Sequence, residues 1–228
     1  MVILDCTLRD GGYYNSWDFS DELVSAYLKA IAESGIEYVE LGFREFPNNT
    51  FLGPFAFTKE SFLKRFKLNS CQKYGVMVNA DSVINRDGAI EDNVLDLFVS
   101  QKHSVLSFVR VATYYHDIEG AIKITQALKK LGYTVGLNLM QSIGKSDLEI
   151  KKAVSAVNLS SSVDVIYYAD SFGNMNDAEV RRIYLILRGI WNKPIGFHSH
   201  NNMGSAMNNS LSAISVGVDW IDATVTGM

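Results

Sequence analysis

The apolar positions of this 228-residue chain fall into eight short runs separated by longer amphipathic stretches. The first four runs are VILDCTL (2–8), YVELGF (38–43), YGVMVNA (74–80) and LSFVRVAT (106–113). TVGLNLMQS (134–142), VIYYADSF (165–172), IGFHSH (195–200) and WIDATVTG (220–227) follow. Each is rich in valine, isoleucine or aromatic residues and nearly continuously apolar, the pattern of strands covered on both faces in a parallel sheet. The stretches between them have helical spacing. Over 21–34, Leu23, Ala26, Tyr27, Ala30 and Ile31 fall at three- and four-residue intervals. Ser146 and Glu149 form a capping-box pattern, and Gly35, Gly132 and Gly217 sit where helices should stop.

Eight strands alternating with helices predict an α/β fold, a (β/α)8 TIM barrel with a closed parallel sheet. A doubly wound open sheet is the competing architecture, but its first strand should feed a G-x-G-x-x-G turn, and RDGGYYN is not that turn. Two features depart from a plain repeat. Residues 44–59 form a long connection carrying Pro47, Pro54 and four phenylalanines, either a lid over a site or a small satellite cluster. The run also stops directly after the eighth strand, so the expectation is a single TIM-barrel domain over 1–228 that lacks its last helix. Such a domain would be the N-terminal part of a longer polypeptide.

Composition narrows the function. With 21 basic and 25 acidic side chains the net charge is −4, which gives no broad attraction for nucleic acid or an anionic membrane and favours a small-molecule partner. Two cysteines without zinc or redox spacing, no signal-peptide core and no apolar run of about 18 residues point to a cytoplasmic protein.

His198 and His200 stand two apart in a strand, where the period of two turns both rings to one face. At the carboxyl end of a barrel strand that face opens on the mouth, and two imidazoles with one carboxylate make a metal set. Asp10 ends strand one, close to strand seven across strand eight of a closed barrel, so the three can converge; Asp10 can equally cap a helix or pair with Arg9. In an ideal strand Arg9 and Asp10 face opposite ways, and both reach the mouth only if Gly11 and Gly12 permit a turn. Cys6, sharing parity with Leu4 and Leu8, reads as core. His116 reads as a solvated loop histidine on the mouth side, and the tyrosine pairs 13–14, 114–115 and 167–168 read as packing.

TLRDG on strand one, HSHNNMGSAMNNS on strand seven and GVDWIDATVTGM on strand eight together resemble the HMG-CoA-lyase-like metal-dependent barrel family. That family includes isopropylmalate and citramalate synthases and 4-hydroxy-2-oxovalerate aldolases, and VRVATYYHDIE at strand four is most similar to the aldolase branch. The resemblance implies a carbon–carbon lyase working through the enolate of pyruvate or a related 2-oxo acid, with a 2-oxo acid and an aldehyde as small-molecule partners. It implies a divalent metal, Mg or Mn before Co or Zn, held by Asp10, His198 and His200. Arg9 matches the arginine that stabilises the enolate oxygen, and Glu40 matches a glutamate that orients the metal's surroundings. Asp170 and Ser171 match a region near the substrate. Asn138 and Gln141, with less motif support, either line the mouth or serve as loop groups. Where the aldolases keep a histidine, this chain has Tyr13, the remaining candidate for the base. An acyl-CoA-dependent condensing synthase and a non-catalytic metal-binding barrel are the alternatives, and a further C-terminal domain or a homo-oligomer is a possible assembly.

Overall fold

The eight apolar runs become eight parallel strands that close on themselves in chain order. The computed structural model describes residues 1–225 and 227. The elements are β1 (Val2–Asp5), α1 (Thr7–Asn15), α2 (Asp21–Glu33), β2 (Tyr38–Phe43), α3 (Glu60–Leu63), β3 (Lys73–Asn79), α4 (Ala80–Ile84), α5 (Ile90–Leu97) and β4 (Phe108–Thr113). They continue as α6 (Ile118–Lys130), β5 (Thr134–Leu139), α7 (Asp147–Ser160), β6 (Val165–Asp170), α8 (Asp177–Arg188), β7 (Ile195–Ser199), α9 (Ala206–Val216) and β8 (Trp220–Ala223). Closure is made by β1 against β8, with Leu4 opposite Asp222 and Asp5 opposite Ala223. The expected eighth run extended to 227, and its Thr226, like Met228, lies outside the described residues.

Strand alternation sorts the side chains into two cores. Val39, Leu41, Val109, Val111, Val135 and Leu137 belong to the main core shared with the helices. Inside the barrel, one cluster holds Leu4, Cys6 and Phe108, with Tyr38 and Trp220 packed on it, and another holds Phe43, Met77 and Ala112. Glu40 and Arg110 join them as fully buried charged residues, and the side chain of Asp222, 2% exposed, lies beside them.

The sequence signals for helix ends hold. Ser146 and Glu149 make a reciprocal capping box on α7, and Gly35, Gly132 and Gly217 adopt φ of 80°, 95° and 103° at helix ends. The buried face of α2 differs from the expected one. Val24, Leu28 and Ile31 point inward while Leu23 is 56% exposed, although the helix begins where expected, after a Ser20 cap that accepts from the Leu23 amide. The long connection after β2 is tied down by an aromatic cluster, Phe55 against Phe19, Phe62 and Phe66 at centroid distances of 5.8, 5.0 and 5.7 Å. Phe51 stays exposed.

The largest departure from expectation is TLRDGGYYN, which is helix α1 and not a strand followed by a glycine turn. Its two glycines each cost about 1 kcal/mol of helix propensity, and the packing of Trp17 offsets this. Trp17 Nε1 donates to the Arg9 carbonyl at 2.8 Å, and the Cδ1 and Nε1 atoms of its ring lie against Gly12. A Cβ on Gly12 would sit 1.9 Å from Trp17 Cδ1. Gly12→Ala should therefore destabilise the fold despite alanine's better propensity, by about 1–3 kcal/mol of overpacking. Thermal denaturation tests this, and a midpoint equal to or above the native one would show that Trp17 is not fixed.

Candidate active site

The helix explains how Arg9 and Asp10 reach the same place. Neighbours on a helix are about 100° apart, where strand neighbours are opposed, so both side chains turn into the barrel mouth. His198 on β7 and His200 just beyond it share the inward face, and their Nε2 atoms lie 3.2 Å apart. Asp10 Oδ2 stands 3.5 Å from His198 Nε2. Ligand atoms about 2.1 Å from one divalent ion lie roughly 3.0–3.4 Å from each other, so His198 Nε2 stands at about metal-sharing distance from both Asp10 and His200, whereas the ligand atoms that all lie within 4.8 Å of one another are those of Cys6, Asp10 and His198.

The protonation states suit that use. Burial alone would raise Asp10, but Arg9, His198 and His200 together hold its carboxyl below the usual range. Burial and the neighbouring His198 push His200 down to about 4, leaving a neutral imidazole at pH 7. Cys6, read as core, is buried but also touches this set. Its Sγ lies 3.6 Å from Asp10 Oδ2 and 3.5 Å from the Ala223 carbonyl, either of which its single S–H can serve, and it groups with Asp10 and His198. Burial and the Asp10 charge push the Cys6 thiol well up, so with no metal beside it the sulfur stays a protonated thiol.

Arg9 is anchored on two sides and free on a third. Nε donates to Glu40 Oε2 at 2.8 Å and Nη1 pairs with Asp10, while the buried Nη2 has no partner among the described residues. Asn138 is likewise buried with Oδ1 unpartnered. Both line a mouth cavity of about 260 Å³, with Tyr13, Ser171, His198 and His200 on its polar side and Phe43 and Met77 on the apolar side. A second cavity of about 310 Å³ runs beside β8 and α9 between Ile3, Met207, Leu211 and Ile214, and it reaches Asp10 and His198 from behind. The donor set thus stands as a partition between the two spaces.

One placement departs from expectation, that of Asp170. Asp170 faces outward, because Tyr167 and Ala169 take the inward parity of β6, and its carboxylate accepts from the amides of Asn174 and Met175, each at 3.0 Å. It shapes the loop after β6 and does not enter the mouth. Tyr13 lies edge-on to Trp17 and Phe43, at 4.8 and 6.1 Å, on the mouth wall. Partial burial, with Asp10 and Glu45 nearby, outweighs Arg9 and pushes its phenol above the ordinary value, which suits a hydrogen-bond donor and not a base. Ser171 Oγ accepts from the Gln141 amide at 2.9 Å, placing Gln141 in a turn with φ 52°.

Glu40 is fully buried and grips two arginines, Arg9 and Arg110. Sequence reasoning passed over Arg110 and its second partner, Asp222, which lies 2.6 Å from Arg110 Nη1 and 2.8 Å from His198 Nδ1. A signal was present. Each is a lone charge inside an apolar strand, in FVRVAT and WIDA, as Glu40 is in YVELGF. Burial would raise the Asp222 carboxyl, yet Arg110 and the His198 hydrogen bond lower it to about 2.

A closed parallel barrel with convergent charged groups at the carboxyl ends of its strands is the layout of the (β/α)8 enzymes. The family model described as HMGL-like matches residues 97–228, and the chain belongs to the HMGL-like family. It is 27% identical to the 4-hydroxy-2-oxovalerate aldolase of Pelotomaculum thermopropionicum over 243 residues and 26% identical to the oxaloacetate decarboxylase of Mycobacterium tuberculosis over 230. In each case 99% of this chain is matched, and it spans 64% of the relative's length. A solved structure described as the N-terminal domain of a "putative aldolase" from Bacteroides vulgatus superposes with TM-score 0.88 at 34% identity, over 100% of this chain and 74% of that one.

Proposed function

We propose that this chain is a divalent-metal-dependent carbon–carbon lyase that acts through the enolate of pyruvate or a related 2-oxo acid. The observation that carries the reading is the pair of unpartnered buried polar atoms, Arg9 Nη2 and Asn138 Oδ1, beside the Asp10, His198 and His200 donor set. A buried donor without a partner is costly, and an oxyanion forming beside Arg9 removes that cost. The two relatives' names point to one shared species. Aldol cleavage of 4-hydroxy-2-oxovalerate and decarboxylation of oxaloacetate both release the enolate of pyruvate.

Asp10, His198 and His200 would hold the metal, and two imidazole nitrogens favour a transition ion such as Mn over Mg, which prefers oxygen ligands. When bound, it would polarise the 2-oxo group as a Lewis acid. Arg9 places fixed positive charge at the developing oxyanion, while Asn138 and Ser171 orient the polar end of the acid and Phe43 and Met77 shed water. Tyr13, kept protonated, is placed to donate a proton or a hydrogen bond at the mouth. That last observation favours one form of the reaction over another. Decarboxylation of a 3-carboxy-2-oxo acid needs no base, whereas aldol cleavage must take the proton from the 4-hydroxyl.

The test is solvent deuterium exchange into the methyl group of pyruvate, followed by proton NMR with Mg or Mn present, beside CO2 release from oxaloacetate and acetaldehyde release from 4-hydroxy-2-oxovalerate. Exchange that depends on the metal and falls to background in His198→Ala is expected, with CO2 release exceeding acetaldehyde release. Bound metal without exchange or cleavage of either acid would overturn the lyase reading.

A further inference from the structure

Arg110 does not line the mouth, yet it touches both charged groups that hold the mouth residues in place. It sits at the middle of β4, with Val109 and Val111 directed to the helices and its own side chain 1% exposed inside the barrel. Desolvating a guanidinium costs several kcal/mol unless every arm is paired, and the pairing is extensive. Nε and Nη2 grip Glu40 Oε1 and Oε2 at 2.8 and 2.5 Å, and Nη1 donates to Asp222 Oδ2 at 2.6 Å. The Tyr167 ring lies 4.8 Å from the guanidinium carbon. Gly136 on β5 leaves room for the stem, since a Cβ there would stand 2.9 Å from Arg110 Cγ.

The two carboxylates lead to different halves of the site. Glu40 Oε2, held by Arg110, also accepts from Arg9 Nε at 2.8 Å, which fixes the direction of the unpartnered Arg9 Nη2. Asp222 Oδ2, held by Arg110, lies 2.8 Å from His198 Nδ1. A carboxylate oxygen already accepting from a guanidinium can only accept again, so His198 carries its proton on Nδ1. The lone pair is left on Nε2, which faces Asp10 and His200.

We propose that Arg110 is a positioning residue that sets the His198 tautomer through Asp222 and the aim of Arg9 through Glu40, coupling the metal-facing and oxyanion-facing halves of the site. The bridging depends on the flat fork of a guanidinium. A lysine preserves the charge, but its single ammonium point cannot hold two Glu40 oxygens and Asp222 in these directions. The Arg9 half of the inference rests on the lyase reading; the His198 half does not.

The test uses Arg110→Lys in the whole chain, with the histidine ring nitrogens labelled with 15N. In the metal-free native protein, His198 should show a protonated Nδ1 and an unprotonated Nε2. In Arg110→Lys the tautomers should mix, and the dissociation constant for Mn2+, read by electron paramagnetic resonance of the free ion, should rise by about 10–100-fold. At saturating Mn2+, pyruvate exchange should show a lower kcat, with KM changed less. A folded Arg110→Lys protein with the native tautomer and native Mn2+ affinity would overturn the proposal, because charge balance alone would then explain Arg110. If Arg110→Lys does not fold, Asp222→Asn keeps the Arg110–Glu40 pair and tests the His198 arm. Tautomer mixing and weakened Mn2+ binding support the inference, and a native tautomer with native affinity overturns it. The NMR and Mn2+ readouts decide the His198 arm even if pyruvate proves not to be a substrate.

Discussion

Arg9→Met should lower kcat for pyruvate proton exchange by about 10²–10³-fold, the loss typical of removing one preorganised oxyanion donor, while the protein still binds Mn2+. The separation follows from the geometry. Arg9 contributes no metal-ligand atom, and its removal takes away a positive charge paired directly with Asp10, so cation affinity should be unchanged or tighter. The fold should tolerate the change, because Glu40 keeps Arg110 as a partner and Asp10 keeps the histidines beside it. Exchange kinetics at saturating Mn2+ together with a binding titration check this. A kcat within tenfold of native would remove Arg9 from the chemistry, and a parallel loss of Mn2+ binding would make it part of the metal site instead.

Glu40→Leu should have the largest effect on stability. Glu40 is the carboxylate shared by two buried guanidiniums, and its loss leaves Arg9 with Asp10 alone and Arg110 with Asp222 alone, stripping the buried Arg9 Nε and the Arg110 Nε and Nη2 of their Glu40 acceptors. Breaking a buried pair by removing one partner costs about 3–5 kcal/mol, against total stabilities of roughly 5–15 kcal/mol. For a chain of this size that lowers the melting midpoint by on the order of 10 °C. Glu40→Gln, which keeps one acceptor oxygen and the side-chain volume, should fall between native and Glu40→Leu. Thermal melts of the three proteins give the order, and a Glu40→Leu protein as stable as native would mean that the buried arginines are held by other groups.

The barrel was readable because its strands are apolar on both faces and the glycines mark helix ends. What escaped was conformation decided by distant contacts. TLRDGGYYN reads as a strand ending on a flexible turn because two glycines weigh against a helix, and nothing local announces that Trp17 will pack on Gly12. The placing of His198 and His200 on one face followed from the period of two, whereas Asp10 reaches them from helix α1 and not from a strand end. Asp170 was misplaced although the same period applies, since Tyr167 and Ala169 already occupy the inward parity of β6. Arg110 and Asp222 were passed over because a lone charge in an apolar strand belongs to no motif by itself. Its meaning comes from the strands across the barrel, and those distances become visible only after closure.

Closure itself has a consequence for folding. Asp10 follows the first strand and the two histidines come from the seventh, joined only through the pairing of β1 with β8, the contact of greatest sequence separation in the sheet. Contacts that span most of a chain form late, after the entropy of the enclosed loop has been lost. The donor set is therefore absent from any partly folded barrel. A divalent ion held by that set, as proposed, would bind the closed ring in preference to every open form and by mass action would stabilise the seam between the first and last strands.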